Sequence, residues 1–182
     1  MLHFEDAKKY AKEVKQLYIT AFPKEERAPL FTLYHKTKKE QNHFHAIVDK
    51  DEFVGLLYTI EDVGIVYVFF FAIQEEKRGQ GYGSKVLTMV KDMYPGRTVT
   101  LMIEDTEKKD ADNYEQRIRR LKFYERNGFT QLHVHVNEVG VEYELLGTQA
   151  GVTQADFLQL MKNYVGGLLY RFIYRKTKFD YE

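Results

Sequence analysis

Residues 66–84 constrain the fold of this chain more than any other stretch. Residues 66–73 are almost all β-branched or aromatic, which predicts a buried strand that is too short to cross a membrane. A tight turn is then predicted at three alternating glycines, Gly79, Gly81 and Gly83. A helix follows, and the first turn of a helix presents free N–H donors and the positive end of the helix dipole. The stretch therefore predicts an anion-binding turn, most often one for phosphate.

The spacing of these glycines excludes two common phosphate-binding motifs. A P-loop has Lys and then Ser or Thr directly after its last glycine, whereas here Ser84 precedes Lys85. A dinucleotide-binding turn has the spacing G-x-G-x-x-G, which is longer than the spacing in this chain. The pattern that remains is Arg78-x-x-Gly81-x-Gly83, with a glycine turn that holds no ligand as the simple alternative.

This pattern resembles the pyrophosphate loop of the GNAT superfamily, the acetyl-CoA-dependent N-acetyltransferases. It follows a strand that ends Ala-Ile-Gln-Glu at residues 72–75, as the family's loop follows its strand. Residues 123–129, with the sequence FYERNGF, are similar to the F-Y-x-x-x-G-F segment of GNAT motif B. Both segments occur in the family's order with a predicted strand between them, which strengthens the identification.

The resemblance implies a mixed α/β fold, in which a central, mostly antiparallel sheet contains one splayed parallel strand pair and is flanked by helices. It implies a GNAT domain over residues 1–147 and a helical extension over residues 148–182 that packs on the same domain. It also implies acetyl-CoA as the cosubstrate, held by the backbone of the central strand and by the glycine turn. The residues in these two segments are Phe71, Ala72, Ile73, Arg78, Gly79, Gln80, Gly81, Tyr82, Gly83 and Ser84.

Hydrophobic periodicity and turn residues divide the chain into helices and strands. Helices are predicted near residues 5–20, 30–38, 85–94 and 113–127, and from about residue 152, with apolar positions that continue to Phe172. Strands are predicted over residues 43–48, 53–60, 66–73, 98–104, 129–136 and 141–146, the last two joined by a turn at 137–140. The helix predicted over residues 85–94 connects the central strand at 66–73 to the strand at 98–104, and this connection predicts that the two strands are parallel neighbours.

Acetyl transfer to an amine requires that the amine lose its proton and that the departing thiolate be stabilised. The resemblance places Tyr124 near the cofactor sulfur, so Tyr124 is the predicted acid, and packing beneath the cofactor is the alternative. Many family members carry a glutamate on the central strand, but residues 68–71 have no ionisable group. Glu104, at the end of the neighbouring strand, is the predicted replacement as base, and a relay of waters is equally compatible.

The first helix pair forms one wall of the acceptor site in the GNAT arrangement. Glu25, Glu26 and Arg27, which connect the two predicted helices, are therefore predicted to face the substrate. The two glutamates are also weaker candidates for the base. A solvated charge cluster is an equal alternative for these three residues.

Charge and composition exclude several other functions. Lys and Arg total 27, as do Asp and Glu, so a net charge of zero gives no reason to predict a nucleic-acid or membrane partner. The chain has no cysteine, which excludes a disulfide, a thiolate metal site and a cysteine nucleophile. The first residues lack the basic and apolar regions of a signal peptide, so a cytoplasmic location is expected.

Two further clusters have competing interpretations. The pairs His43/His45 and His133/His135 each share one strand face, but no local carboxylate or cysteine completes a metal site, so no metal is predicted. A basic helix surface is also predicted, either solvated or near the adenosine 3′-phosphate of the cofactor. Its residues are Arg117, Arg119, Arg120, Lys122 and Arg126.

The sequence thus predicts an N-acetyltransferase that transfers acetyl from acetyl-CoA to a primary amine by direct attack in a ternary complex. The acceptor is a small-molecule or peptide amine, and a homodimer stays open. The first alternative is a non-catalytic acyl-CoA-binding sensor or scaffold, because the central strand has no carboxylate. The second, a nucleotide-binding switch, is disfavoured by the absence of P-loop spacing.

Overall fold

The computed structural model of this 182-residue chain describes residues 1–62, 64–138 and 141–166. The strands are β1 (His3–Asp6), β2 (Asn42–Asp49), β3 (Glu52–Asp62), β4 (Ile65–Ile73), β5 (Thr98–Glu104), β6 (Thr130–Glu138) and β7 (Val141–Gly147). The α-helices are α1 (Ala11–Ala21), α2 (Leu30–Lys36), α3 (Tyr82–Met93), α4 (Tyr114–Arg126) and α5 (Gln154–Val165). Short 3-10 turns lie at Ala7–Tyr10, Lys24–Glu26 and Glu75–Lys77.

The described strands form one sheet in the order β1-β2-β3-β4-β5-β7-β6. The pairs β1–β2, β2–β3, β5–β7 and β6–β7 are antiparallel, whereas β4 and β5 run parallel. The chain passes from β4 through α3 to β5, and a connection that contains a helix allows two strands to lie side by side in the same direction. The predicted fold class, a mixed and mostly antiparallel sheet with one parallel pair and flanking helices, is confirmed.

The start of the chain differs from the prediction. A helix was expected from about residue 5, but the chain first forms β1, which pairs with β2 so that Phe4 lies opposite Ile47. Asp6 then ends the strand, because its carboxylate accepts a hydrogen bond from the Lys8 backbone at 2.9 Å and starts a 3-10 turn. Helical periodicity extends into these residues, but the hydrogen bonds offered by β2 decide their conformation.

The chain divides into two compact units. Unit 1 contains residues 1–61 and 68–95, and unit 2 contains the described residues of 62–67 and those from Gly96 onward. The core of unit 1 is rich in aromatic rings: Phe70 lies edge-on to Tyr18 and to Phe22, with ring centroids 5.0 Å apart in both pairs. The abundance of Tyr and Phe in the sequence is therefore used here to fill a core.

Gly55 on β3 is required by close packing in unit 1. A Cβ atom at this position would overlap the carbonyl oxygen of Ala72 on β4, and it would lie 3.0 Å from the Ile73 side chain. The Gln74 N–H also donates to the Val54 carbonyl oxygen at 2.9 Å. The end of β4 is thus held tightly against β3, which fixes the position from which the glycine turn starts.

Unit 2 contains the strands β5, β6 and β7 and the helices α4 and α5. The helix α5 packs its Phe157 ring edge-on against Tyr67, with ring centroids 5.2 Å apart. A capping box between Thr153 and Asp156 begins this helix. The predicted apolar positions Leu168, Leu169 and Phe172 lie outside the described residues, as do the rest of residues 167–182 and part of the turn at 137–140. No helix in the described part of the chain is long and apolar enough to cross a membrane.

His45 in unit 1 gives the fold a predicted sensitivity to acid. Its ring stacks on Phe4 at 5.1 Å and on His43 at 5.8 Å, and its Nε2 is buried without a hydrogen-bond partner in the described structure. Burial, helped by the charge of His43 and opposed by Asp6, lowers the pKa of His45 to about 4. The folded protein therefore keeps His45 neutral at pH values where the unfolded chain takes up a proton.

We expect the free energy of unfolding to fall by about 3 kcal/mol from this source as the pH drops from 6.5 towards 4. His45→Phe keeps the aromatic stack and removes the titration, so its stability should depend less on pH by that amount. Urea unfolding at pH 7 and pH 4 of the wild type, His45→Phe and the control His35→Gln, whose histidine is exposed on α2, measures the difference. Equal pH dependence in the wild type and His45→Phe would contradict the prediction.

Candidate functional site

The glycine turn of unit 1 connects β4 to α3. After Ile73 the chain makes the 3-10 turn Glu75–Lys77, and then passes through Gly79 and Gly81 with φ of +74° and +80°. These left-handed values are costly for residues with a Cβ atom, which explains glycine at both positions. Gly81 is the N-cap residue of α3, and no side chain caps this end of the helix.

The same turn has the properties of an anion site. No atom lies within 4 Å of a Cβ atom placed on Gly79 or on Gly81, so the space beside both residues is open. The helix α3 is 12 residues long, and its first N–H groups carry the positive end of the helix dipole without a capping side chain. A phosphate group can therefore approach the backbone closely, as the sequence pattern requires. The residues present fit the diphosphate of coenzyme A.

Side chains around the turn hold it in shape. The Arg78 Nε donates to the carbonyl oxygen of Ile73 at 3.1 Å, which folds this side chain back onto the end of β4. The Tyr82 hydroxyl donates to a carboxylate oxygen of Asp49 at 3.1 Å, and the Lys77 Nζ lies 2.7 Å from Glu52. Asp49 and Glu52 have no local sequence signal for this role, because they come from the β2–β3 hairpin and only the tertiary structure brings them to the turn.

The end of β4 has features of a strand that is paired over only part of its length. Its parallel register with β5 runs from Ile65↔Thr98 to Tyr67↔Thr100, and in the described structure it includes no later pair, although β4 continues to Ile73. Ala72 is buried, whereas Phe71 and Ile73 are half-buried. Phe71, Ala72 and Ile73 thus lie on the stretch of β4 beyond the parallel register, where the resemblance implies contacts to the cosubstrate.

The second family segment lies in unit 2, at the end of α4. Tyr124 contacts the rings of Phe123 and Phe129, with centroids 5.1 and 5.7 Å away. Gly128 has a φ of +83° and ends the helix, and the Phe129 N–H donates to the Tyr124 carbonyl oxygen at 3.1 Å. The spacing F-Y-x-x-x-G-F is therefore the spacing that brings Phe129 back against Tyr124.

The environment of Tyr124 favours a neutral phenol. Burial raises the pKa of Tyr124 to about 12, and the Arg120 charge opposes this effect only in part. The hydroxyl is therefore a hydrogen-bond donor at any physiological pH. It is a poor source of a fully transferred proton, since a thiolate has a pKa of only about 8.5.

Glu104 lies at the end of β5, in a cluster of hydrogen bonds and ion pairs. Its carboxylate accepts a hydrogen bond from Asn113 at 2.8 Å and pairs with Arg117 at 3.2 Å and with Arg120 at 2.8 Å. Burial raises the pKa of Glu104, but Asn113 and the two arginines outweigh this effect and hold the pKa below its usual range. Glu104 is thus an ionised and well-paired carboxylate, which is a weak base.

The same cluster corrects two predictions for α4. Arg117 is buried, with only 9 % of its surface exposed, so it does not belong to the predicted basic surface, and Arg120 is tied to Glu104. The spacing of Ile118, Leu121 and Tyr124, with Phe123 beside them, also predicts a buried stripe on this helix, but all four residues are only half-buried. The carboxylate of Glu104 attracts Arg117 to the sheet, and no periodicity of apolar residues could reveal this.

The three predicted substrate residues lie between α1 and α2 in unit 1. Glu25 and Glu26 are exposed in a 3-10 turn, whereas Arg27 is half-buried and its Nη1 lies 3.5 Å from the Ile19 carbonyl oxygen. Phe31, at the start of α2, is 76 % exposed. The structure brings these residues together on one connection, where they can contact a molecule from solvent.

Sequence comparison identifies the family. The profile of the acetyltransferase (GNAT) family matches residues 11–129, more than half of the chain. The chain therefore belongs to the GNAT family of acetyltransferases, and it is an acyltransferase with acetyl-CoA as its cosubstrate. No curated protein matches the sequence.

Solved structures show the same fold at low sequence identity. A protein from Bacteroides thetaiotaomicron assigned to the GNAT family superimposes with a TM-score of 0.69 and 21% identity, covering 93% of this chain and 98% of that one. An aminoglycoside 6′-N-acetyltransferase complexed with coenzyme A gives 0.63 and 17%, covering 81% and 95%. Naa50 of Arabidopsis thaliana, in complex with a bisubstrate analogue, gives 0.59 and 19%, covering 81% and 98%.

Proposed function

We propose that this protein is an N-acetyltransferase that transfers acetyl from acetyl-CoA to a primary amine by direct attack in a ternary complex. The observation that carries the proposal is the open glycine turn at the uncapped start of α3, which the family pattern assigns to the cosubstrate. Similar folds include an aminoglycoside acetyltransferase and a protein bound to a peptide-based bisubstrate analogue, which supports a small-molecule or peptide amine as acceptor. The absence of cysteine from the chain disfavours a route through an acyl-cysteine enzyme.

Three groups of residues have proposed roles in binding. The diphosphate is held by the backbone N–H groups of residues 79–84, which are Gly79, Gln80, Gly81, Tyr82, Gly83 and Ser84. Arg78 fixes the turn to β4. The backbone of Phe71, Ala72 and Ile73 pairs with the pantetheine arm. Acetyl-CoA supplies an activated thioester, whose thiolate is a good leaving group. Glu25, Glu26 and Arg27 contact the acceptor.

The acceptor amine has to lose a proton before it attacks, since a free alkylamine has a pKa of about 10.4. Glu104 was predicted as the base, and this role stays a prediction. Its two arginine partners and its lowered pKa favour a different role, in which Glu104 fixes α4 and therefore the position of Tyr124. In that case the proton of the acceptor amine leaves through water. Separate measurements of stability and turnover for a Glu104 variant distinguish the two roles.

Tyr124 is proposed to stabilise the departing thiolate by donating a hydrogen bond. Removing a hydrogen bond to a charged group costs about 1.5–3 kcal/mol, so Tyr124→Phe should lower kcat roughly 10- to 100-fold. The affinity for acetyl-CoA should change less than about twofold, since the ring and its contacts to Phe123 and Phe129 stay in place. Steady-state kinetics and calorimetry measure the two quantities, with Tyr114→Phe at the other end of α4 as the control. An unchanged kcat would show that the hydroxyl has no part in the reaction.

The direct test of the function is acetyl-CoA binding by calorimetry, followed by acetyl transfer to a panel of amines. The panel contains aminoglycosides, polyamines and peptides with free N-termini. Acetyl-CoA binding together with turnover of any amine supports the proposal, and no acetyl-CoA binding by the folded protein rejects it.

The alternative from the sequence is a family member that binds acyl-CoA as a sensor without turnover, and the match to the acetyltransferase family counts against it. Two observations favour it: residues 68–71 of β4 have no ionisable side chain, and Glu104 is engaged with two arginines. Acetyl-CoA binding without turnover of any amine in the panel would favour this candidate over the enzyme.

A further inference from the structure

A polar cavity lies within unit 2, on the side of α4 that faces the start of β7. Its volume is about 170 Å³, and it is lined by Lys108, Arg117, Val141 and Glu142. The lining comes from the loop after β5, from α4 and from the first residues of β7. A cavity of about 150 Å³ can hold benzene, so this one has room for a group of similar size.

Arg117 is the buried charge in this cavity. Its Nε donates to Asn113 at 2.7 Å, its Nη1 donates to the Asp105 carbonyl oxygen at 2.9 Å, and its Nη2 pairs with Glu104 at 3.2 Å. These contacts fix the plane of the guanidinium, which has more N–H donors than these partners use in the described structure. A fixed guanidinium with spare donors is well suited to a planar carboxylate.

The balance of charge around Arg117 favours an anion. Glu104 is shared between Arg117 and Arg120, and the carboxylate of the neighbouring buried residue Asp105 accepts a hydrogen bond from the Glu107 N–H at 2.8 Å. Lys108 adds another positive charge at the exposed edge of the cavity. A carboxylate placed beside Arg117 and Lys108 gains charge-assisted hydrogen bonds from both side chains.

Glu142 adds a negatively charged side chain to a cavity whose other charged side chains are basic. Its side chain is exposed, and its backbone carbonyl oxygen accepts a hydrogen bond from the Asp105 N–H at 2.8 Å, which fixes the start of β7 beside the end of β5. The cavity thus has basic groups on the loop and on α4, and a carboxylate on β7. This arrangement is complementary to a molecule that has a negative and a positive end.

We propose that this cavity binds a small zwitterion with a carboxylate and an ammonium group separated by a short chain. Arg117 and Lys108 hold the carboxylate, and Glu142 holds the ammonium group. The site is defined by residues of unit 2 alone and does not depend on the proposed acetyl transfer.

Titration of the full-length protein with ω-amino acids, from glycine to 5-aminopentanoate, tests the proposal. Binding is followed by ¹⁵N–¹H correlation spectra, and acetate and methylamine serve as ligands with one charge each. At least one ω-amino acid should bind about tenfold more tightly than acetate or methylamine, because it makes both sets of contacts. If none binds more tightly than acetate, the proposal is wrong.

Variants assign the two ends of the ligand. Glu142→Gln should reduce the affinity of the best ω-amino acid to that of acetate, and Lys108→Gln should weaken both ligands. The matched controls are Glu125→Gln on the exposed face of α4 and Lys109→Gln on the same loop, and neither should change the affinity. Equal effects of Glu142→Gln and Glu125→Gln would contradict the proposal.

The 3′-phosphate of coenzyme A is the competing source of an anion. The titration is therefore repeated with saturating coenzyme A and with saturating dephospho-coenzyme A. Unchanged binding of the ω-amino acid in both cases supports a separate site. Competition by coenzyme A but not by its dephospho form would show that the cavity holds the 3′-phosphate, and would overturn the proposal.

Discussion

Gly81→Asp is expected to weaken acetyl-CoA binding by about 100-fold or more. The substitution places a carboxylate in the open space beside the uncapped start of α3, where the diphosphate is proposed to lie. Two like charges about 4 Å apart near a protein surface repel by about 4 kcal/mol, which is more than enough for this loss. Calorimetric titration of the wild type and the variant with acetyl-CoA measures the change.

Gly96→Asp is a closely matched control for this variant. Gly96 has a φ of +77°, against +80° for Gly81, and a Cβ atom on either residue meets no atom within 4 Å. Both substitutions therefore carry the same backbone strain, but Gly96 lies in the turn after α3, far along the chain from the glycine turn. Equal loss of affinity in the two variants would mean that strain, rather than charge at the phosphate site, explains the effect.

Glu104→Gln is expected to lower the free energy of unfolding by about 3–5 kcal/mol at pH 7. The change removes the carboxylate from between Arg117 and Arg120 and leaves the Arg117 guanidinium buried without its charge partner. Breaking a buried pair by removing one partner has a cost of this size. Urea unfolding of both proteins measures it, and Glu115→Gln on the exposed face of α4 is the control.

The effect of Glu104→Gln should also depend on pH. The folded state holds the pKa of Glu104 below its ordinary value of 4.5, so the stabilisation is present above pH 4.5 and is lost as the pH falls through the folded pKa. The two proteins should therefore become similar in stability in acid. A variant that keeps wild-type stability at pH 7 but loses turnover would instead support Glu104 as the base.

The conformation of the glycine turn was the most predictable local feature of this protein, while its role in holding the cosubstrate stays a prediction. Its signal is local: a strand, alternating glycines and a helix follow one another within residues 66–84, and each residue type has one physical reason to be there. The left-handed backbone of Gly79 and Gly81 and the open space beside them agree with that reasoning. The motif around Tyr124 was predictable for the same reason, because Gly128 and Phe129 act within one helix end.

The surroundings of the predicted catalytic residues were not predictable. Glu104 could be singled out as a carboxylate at a strand end, but its two arginine partners lie 13 and 16 residues further along the chain. In the sequence alone, the charged side chains of α4 could equally well be solvated or form ion pairs with each other. Only the packing of α4 on β5 selects Arg117 and Arg120, and this changes a candidate base into a paired, weakly basic carboxylate.

The sequence by itself determined the family, the order of most helices and strands, the parallel pair and the conformation of the glycine turn, because all of these depend on residues close together in the chain. The tertiary structure decided that residues 3–6 form a strand, that Gly55 has to be a glycine beneath the Ala72 carbonyl, and that Arg117 is buried. These features depend on contacts between segments distant in sequence. Their free energies come from packing and charge pairing that exist only once the sheet has formed.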